Sequence, residues 1–301
     1  MGLAALFQAV AALLAPSPAV PSLPPLTARQ KAALVVVSGL PAPRGVGGVL
    51  VRDYDRGSPR PGSALVFVDQ EGGQASAFHD LPPRRSAASF TRRRDAFAAG
   101  RATGRALRRA GVDIDLAPVL DLAGGPLGSR HFRNPALGIA FARGLAAGKA
   151  GACAKHFPGL GTARVSTDES PKVHARVTPR ELAGFTRAIR AGVPCVMVSH
   201  AYYRNRGPRR ASFEPSVYRL LRGSGFQGVA ITDSLSVFGS DWAVITARAA
   251  VRAGADLLLF TNGRDASRVI RALVPLARRG LLDEHVERVL ELRHAFGLNT
   301  P

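Results

Sequence analysis

The feature that most constrains this chain is a rhythm of eight short, β-branched apolar runs, most of them separated by segments with helical spacing. The runs are Ala33 to Val37, Val46 to Val51, Ala64 to Val68, Asp113 to Val119, Ala152 to His156, Cys195 to Ser199, Gly228 to Thr232 and Asp256 to Phe260. Their nearly continuous apolar character suits strands buried on both faces of a parallel sheet, because a strand with one wet face would alternate. Helices are expected over Arg92 to Ala110, Pro135 to Ala150, Thr178 to Ala191, Glu214 to Leu221, Asp241 to Ala253, Asp265 to Arg279 and Asp283 to Phe296. The third opens Thr178-Pro179-Arg180-Glu181, where Thr178 caps, Pro179 takes the first helical position and Glu181 closes a capping box. Such alternation implies right-handed crossovers in one parallel sheet. Eight repeats predict closure into a single-domain α/β barrel of the (β/α)8 TIM type over residues 25–301. An open doubly wound sheet is the alternative, but no GxGxxG follows a strand as a dinucleotide site would require.

A barrel makes a demand that the sequence itself can answer. Its active site lies at the C-terminal ends of the strands, so polar residues should gather just after each apolar run. Val68 is followed by Asp69-Gln70-Glu71-Gly72-Gly73, and Leu120 by Asp121. Ala154 leads into Lys155-His156, Val198 into Ser199-His200, and Ile231 into Thr232-Asp233-Ser234. Five polar strand ends at equivalent positions are better explained by one pocket than by five unrelated surface residues.

Composition narrows the partners. The chain has 41 Lys and Arg against 21 Asp and Glu, a net charge of +20, and only Lys31, Lys149, Lys155 and Lys172 are lysines. The arginines are spread along the sequence rather than concentrated in one element with interleaved aromatics. No specific nucleic-acid partner is therefore expected, although the charge alone allows a weak attraction to anionic polymers. Cys153 and Cys195 lie in apolar segments and read as buried free thiols. With no Cys/His ligand spacing, neither a metal nor a cofactor is expected. Residues 1–24 combine an apolar run, Leu3 to Leu14, with a Pro-rich linker, Pro16 to Pro25. That run has the length of an export signal, lacks a basic start and is too short to span a bilayer. Export to the cell exterior or envelope is the expectation, a cytoplasmic location the alternative. The chain ends soon after the eighth run, so a second α/β domain is not expected, and a monomer is.

The strand ends also carry a family resemblance. Asp69-Gln70-Glu71-Gly72-Gly73 resembles the DQEGG strand end of glycoside hydrolase family 3, β-N-acetylhexosaminidase branch, and Leu116 to Asp121 its FAPVLD segment. Arg130 to Pro135 is similar to RSFGxDP, Lys155 to Gly161 to KHFPGHG, Met197 to His200 to MVxH, and Ile231 to Ser236 to the nucleophile segment. Six matches in family order imply a retaining glycosidase acting on terminal β-linked N-acetylglucosamine, often of cell-wall fragments, so a small glycan or muropeptide-like substrate is expected. The resemblance makes Asp233 the nucleophile and places Asp69, Arg130, Lys155, His156 and His200 around the sugar. Independently of the family, a retaining mechanism needs one carboxylate at the anomeric carbon and a second group to protonate the leaving oxygen.

The departures bear on that second group. Relatives carry an Asp-Ser-His unit on the loop after KHFPGHG, and counting from Gly161 puts Ser166, Thr167 and Asp168 at those positions. Leu160 replaces the second histidine of KHFPGHG, and Gln74 and Ala77 stand where two arginines are expected. Three readings stay open. Asp168 or Glu169 acts directly as acid/base, a gapped alignment brings in His174, or protonation is lost and a sugar-binding barrel remains.

Overall fold

Each apolar run contributes a parallel strand, and all but the fifth strand are shorter than their runs. The computed structural model describes residues 25–170 and 172–299; the signal-like segment lies outside them. The strands are β1 (Val36–Ser38), β2 (Gly48–Leu50), β3 (Leu65–Val68), β4 (Ile114–Asp115), β5 (Gly151–Phe157), β6 (Cys195–Val198), β7 (Val229–Thr232) and β8 (Leu258–Leu259). They pair in sequence order from β1 to β7, and β8 pairs with β1 through Val36↔Leu258 and Val37↔Leu259. The ring closes where Ile231 bridges Leu257 and the Asp256 N–H donates to Ala230 O at 2.8 Å. The barrel expectation holds.

Among the described residues, eight helices accompany the strands: α1 (Ala28–Leu34), α2 (Arg93–Arg109), α3 (Pro135–Ala147), α4 (Pro179–Arg190), α5 (Pro215–Gly223), α6 (Ala243–Ala253), α7 (Gly263–Arg278) and α8 (Asp283–Ala295). Two cores result. Inside the barrel, Val37, Leu50, Phe67, Ile114, Met197 and Ile231 pack together, and Val289 and Leu292 of α8 join them from below. Alternate strand residues such as Val36, Val66, Val68 and Val196 face outward into the layer between strands and helices. This two-sided burial is the physical origin of the continuous apolar runs.

The structure corrects three details. The first run splits, because Ala33 and Leu34 end α1, a helix capped by Thr27 and Gln30. Its buried Ala32, Ala33 and Leu34 gave the segment a strand-like apolar signal. The fourth run is interrupted at Ala117-Pro118, since proline has no N–H for the ladder; Val119 retains only isolated bridges to His131 and Lys155. Cys153 and Cys195 are not free thiols but a disulfide. They are register partners on β5 and β6, and both side chains enter the barrel interior. Aligned residues of parallel strands project to the same face, which brings the two sulfurs together.

Candidate active site

The site follows from strand periodicity. Phe67, Cys153, Met197 and Ile231 point into the barrel, so the residues two further along, Asp69, Lys155, Ser199 and Asp233, continue on the inner side at its C-terminal mouth. Lys155 is the hub: its Nζ lies 2.7 Å from Asp69 Oδ1 and 2.6 Å from Glu71 Oε1, and the side chain is only 2% exposed. Arg130, from the turn after β4, grips Glu71 with two forked bonds, Nε to Oε2 and Nη2 to Oε1, each 2.8 Å. Burial pushes the Glu71 carboxyl up, but Lys155 and Arg130 outweigh it and hold the pKa at about 2. The Lys155 ammonium is disfavoured by burial and held charged by Asp69 and Glu71.

Asp233 ends β7 with its Oδ1 accepting the Ser234 N–H at 2.8 Å. Its Oδ2 takes no hydrogen bond from the described residues, and the residue is half-buried. Burial raises the Asp233 pKa, yet His200, His156, the Ser234 N–H and Lys155 together bring it below the usual carboxylate range. His156 Nδ1 donates to Asp121 Oδ2 at 2.7 Å, and Asp121 also accepts the backbone N–H groups of His156 and Leu160. That bond fixes the ring's orientation and leaves Nε2 without a partner among the described residues.

His200 differs from the expectation that it contacts substrate. Its Nε2 donates to Ser234 O at 3.0 Å and its Nδ1 meets Ser212 Oγ at 2.8 Å, so both nitrogens are spent on protein groups. It supports the nucleophile turn from behind, and burial lowers its pKa, which favours the neutral ring.

The loop after β5 carries the candidate acid/base. Asp168 is 63% exposed in its side chain and lies 3.5 Å from Arg130 Nη1, with Ser166 Oγ 3.3 Å from its Oδ2. Glu169 lines the same recess, beside Gln74 and Arg130, and its side chain has no partner among the described residues. His174 is drawn elsewhere: it pairs with Tyr202 in a two-stranded ribbon and stacks on that ring at 5.3 Å. Tyr203 is buried and donates its hydroxyl to Gly159 O at 2.8 Å. Gly159 itself has φ +120°, and a Cβ there would sit 2.6 Å from Glu181 Cδ. No other residue fits that turn without displacement.

The model of the glycosyl hydrolase family 3 N terminal domain matches residues 50–292. The chain belongs to glycosyl hydrolase family 3. A beta-hexosaminidase from Thioalkalivibrio sulfidiphilus is 37% identical over 243 residues, covering 69% of this chain and 68% of that one. Another, from Stenotrophomonas maltophilia, is 32% identical over 206 residues and covers 61% of each. The match therefore spans about three fifths of that curated relative's length. Among solved structures, a family 3 beta-N-acetylglucosaminidase from Paenibacillus superposes with TM-score 0.81 at 25% identity, over 91% of this chain and 63% of that one. A beta-N-acetylhexosaminidase from Beutenbergia cavernae gives TM-score 0.79 at 25% identity, over 90% and 99%.

Within this family 3 barrel, the structure gathers Asp69, Arg130, Lys155, His156, Asp168 and Asp233 at one mouth, and adds residues the sequence reading passed over. Glu71 was visible only as part of a motif, and its place as counter-ion to two cations needed the third dimension. Asp121 had a signal, since an acid at a strand end beside a histidine strand suggests an orienting pair. Glu181 departs from its expected capping role: Thr178 caps α4, but Glu181 Oε1 turns to the Gly161 N–H at 2.6 Å.

That clasp yields a pH prediction. Burial, with Asp121 adding to it and the Gly161 N–H opposing, pushes the Glu181 carboxyl up from 4.5 to about 7. Between those values the folded chain keeps a proton that the unfolded chain has lost, so stability from this group falls as pH rises. Glu181→Gln keeps an acceptor for Gly161 and removes the titration. Its melting temperature should vary less than wild type between pH 5 and 8, with the gain at pH 8. Parallel pH profiles for the two proteins would refute the assignment.

Proposed function

We propose that this chain is a retaining β-N-acetylglucosaminidase that removes terminal β-linked N-acetylglucosamine through a covalent glycosyl-Asp233 intermediate. The observation that carries this reading is the Asp233 carboxylate at the mouth, its Oδ2 unpartnered among the described residues and its pKa held low against burial. Asp69, Arg130, Lys155 and His156 supply hydrogen-bonding groups in the density a sugar requires. In the first step Asp233 Oδ2 bonds to the anomeric carbon while the bond to the leaving oxygen breaks, and protonated Asp168 gives its proton to that oxygen. In the second step Asp168 takes a proton from water, the water oxygen bonds to the same carbon, and the ester to Asp233 breaks.

Asp168 is the better acid/base candidate than Glu169. It alone of the two meets Arg130, and it is near enough to His200 to influence that ring. Cell-wall fragments are the proposed source of substrate. The Cys153–Cys195 disulfide fits an oxidising, extracytoplasmic compartment, as does the signal-like run at 1–24.

The test is product stereochemistry, followed by proton NMR on an aryl β-N-acetylglucosaminide: the first product should be the β anomer. Asp168→Asn should lower kcat by roughly a hundred- to ten-thousand-fold on a poor leaving group and much less on an activated one. Added azide should restore turnover of the activated substrate. Wild type that binds the sugar but never turns it over would instead establish a binding barrel.

A further inference from the structure

The arginines that look scattered in the sequence converge in space. Helices α2, α3 and α4 carry ten arginines and only two carboxylates, Asp95 and Glu181, and Glu181 is buried. Five of those arginines, Arg93, Arg94, Arg143, Arg187 and Arg190, line one groove of about 700 Å³ between the three helices. All five are exposed. Among the described residues only Arg94 has an acid partner, Asp95 at 3.3 Å. Arg143 also lines a second basin of about 510 Å³, with Arg108 and Lys149, which reaches Gly151 and Pro194 at the starts of β5 and β6. The two depressions form one basic track running from the barrel's flank to its N-terminal end, away from the mouth that holds Asp233.

Like charges crowded without acids repel one another and oppose compaction, so an external anion is the natural complement. Guanidinium forks match phosphate oxygens in pairs, and a long concave track suits a linear chain better than a flat surface. The floor is Ala136, Ala140, Ile139 and Ala191, with Phe97 as its one aromatic ring. A nucleic-acid groove would offer several stacking platforms. We propose that this track binds a linear, base-free polymer of phosphate groups, holding the protein on an anionic matrix while the mouth stays free. The proposal does not rest on the glycosidase reading.

The test uses fluorescently labelled inorganic polyphosphate and the full chain, read by anisotropy. Release of about five counterions predicts about a hundred-fold weaker binding between roughly 50 and 200 mM salt. The triple variant Arg93→Gln, Arg187→Gln, Arg190→Gln should bind about ten-fold more weakly or worse. The charge-matched control Arg264→Gln, Arg271→Gln, Arg278→Gln lies on α7, which packs against α1 and α6 instead, and should stay within about two-fold of wild type. Melting curves confirm that both triples fold. Equal losses in the two triples would show that net charge alone acts and overturn the proposal. So would tighter binding of oligo-dT, or of anionic lipid vesicles, than of polyphosphate. Asp233→Asn should bind polyphosphate like wild type, and polyphosphate competing with a sugar ligand would also overturn the placement.

Discussion

Glu71→Gln is expected to lower the melting temperature by on the order of 10 °C at neutral pH. The carboxylate is 3% exposed and is shared by two cations, Lys155 Nζ at 2.6 Å and Arg130 through its fork. Glutamine preserves the shape but not the charge, and its amide nitrogen would turn a donor towards groups that are themselves donors. Lys155 keeps Asp69 and Arg130 keeps Asp168, but both of those acids are substantially exposed, at 48% and 63%. Removing one partner from a buried pair typically costs about 3–5 kcal/mol, and a domain of this size converts each kcal/mol into about 2–4 °C. The sign of the pH dependence follows from the Glu71 pKa, about 2 against an ordinary 4.5. Between those values the unfolded chain binds the extra proton, so the stabilisation is present above the upper value and lost as pH falls through the lower. The gap between wild type and variant should therefore shrink between pH 5 and pH 2. A gap that is absent at pH 7, or that does not narrow in acid, contradicts the counter-ion role.

Fold and site were legible to different depths, for physical reasons. Barrel strands buried on both faces write themselves as unbroken apolar runs, so all eight locations could be read. Their lengths could not, because Ala117-Pro118 breaks the ladder inside a run whose composition stays apolar. Ala33 and Leu34 misled in the opposite sense, since a helix packed on the sheet is as apolar there as a strand. At the mouth, residues that continue an inward register, Asp69, Lys155 and Asp233, were legible because period two carries the core into the pocket. Residues whose importance comes from long-range partners were not. Glu71 meets Arg130 across 59 positions, and Glu181 meets Gly161 across 20. The disulfide had the same character: nothing local pairs Cys153 with Cys195 until β5 and β6 are set in register. The grouping of the arginines that line the groove was hidden for this reason too, because α2, α3 and α4 are separated along the chain and adjacent on the barrel.

Asp233→Asn carries the largest expected effect on activity, a loss of on the order of ten-thousand-fold or more in kcat, as when a covalent nucleophile is removed. The substitution is nearly isosteric, and asparagine Oδ1 can still accept the Ser234 N–H that Asp233 now holds at 2.8 Å. His200 continues to hold the Ser234 carbonyl from behind, so the turn should keep its shape and sugar binding should survive. What disappears is the carboxylate charge, and with it the bond to the anomeric carbon. The contrast with Asp168→Asn makes the result diagnostic. Loss of an acid/base depends on how good the leaving group is and yields to azide, whereas loss of the nucleophile spares no substrate and yields to nothing added at the mouth. Kinetics on a poor and an activated aryl β-N-acetylglucosaminide, beside calorimetric binding of N-acetylglucosamine, separate the two. Turnover by Asp233→Asn within ten-fold of wild type would remove Asp233 from the reaction and move the search to the other accessible carboxylates, Asp69 and Glu169.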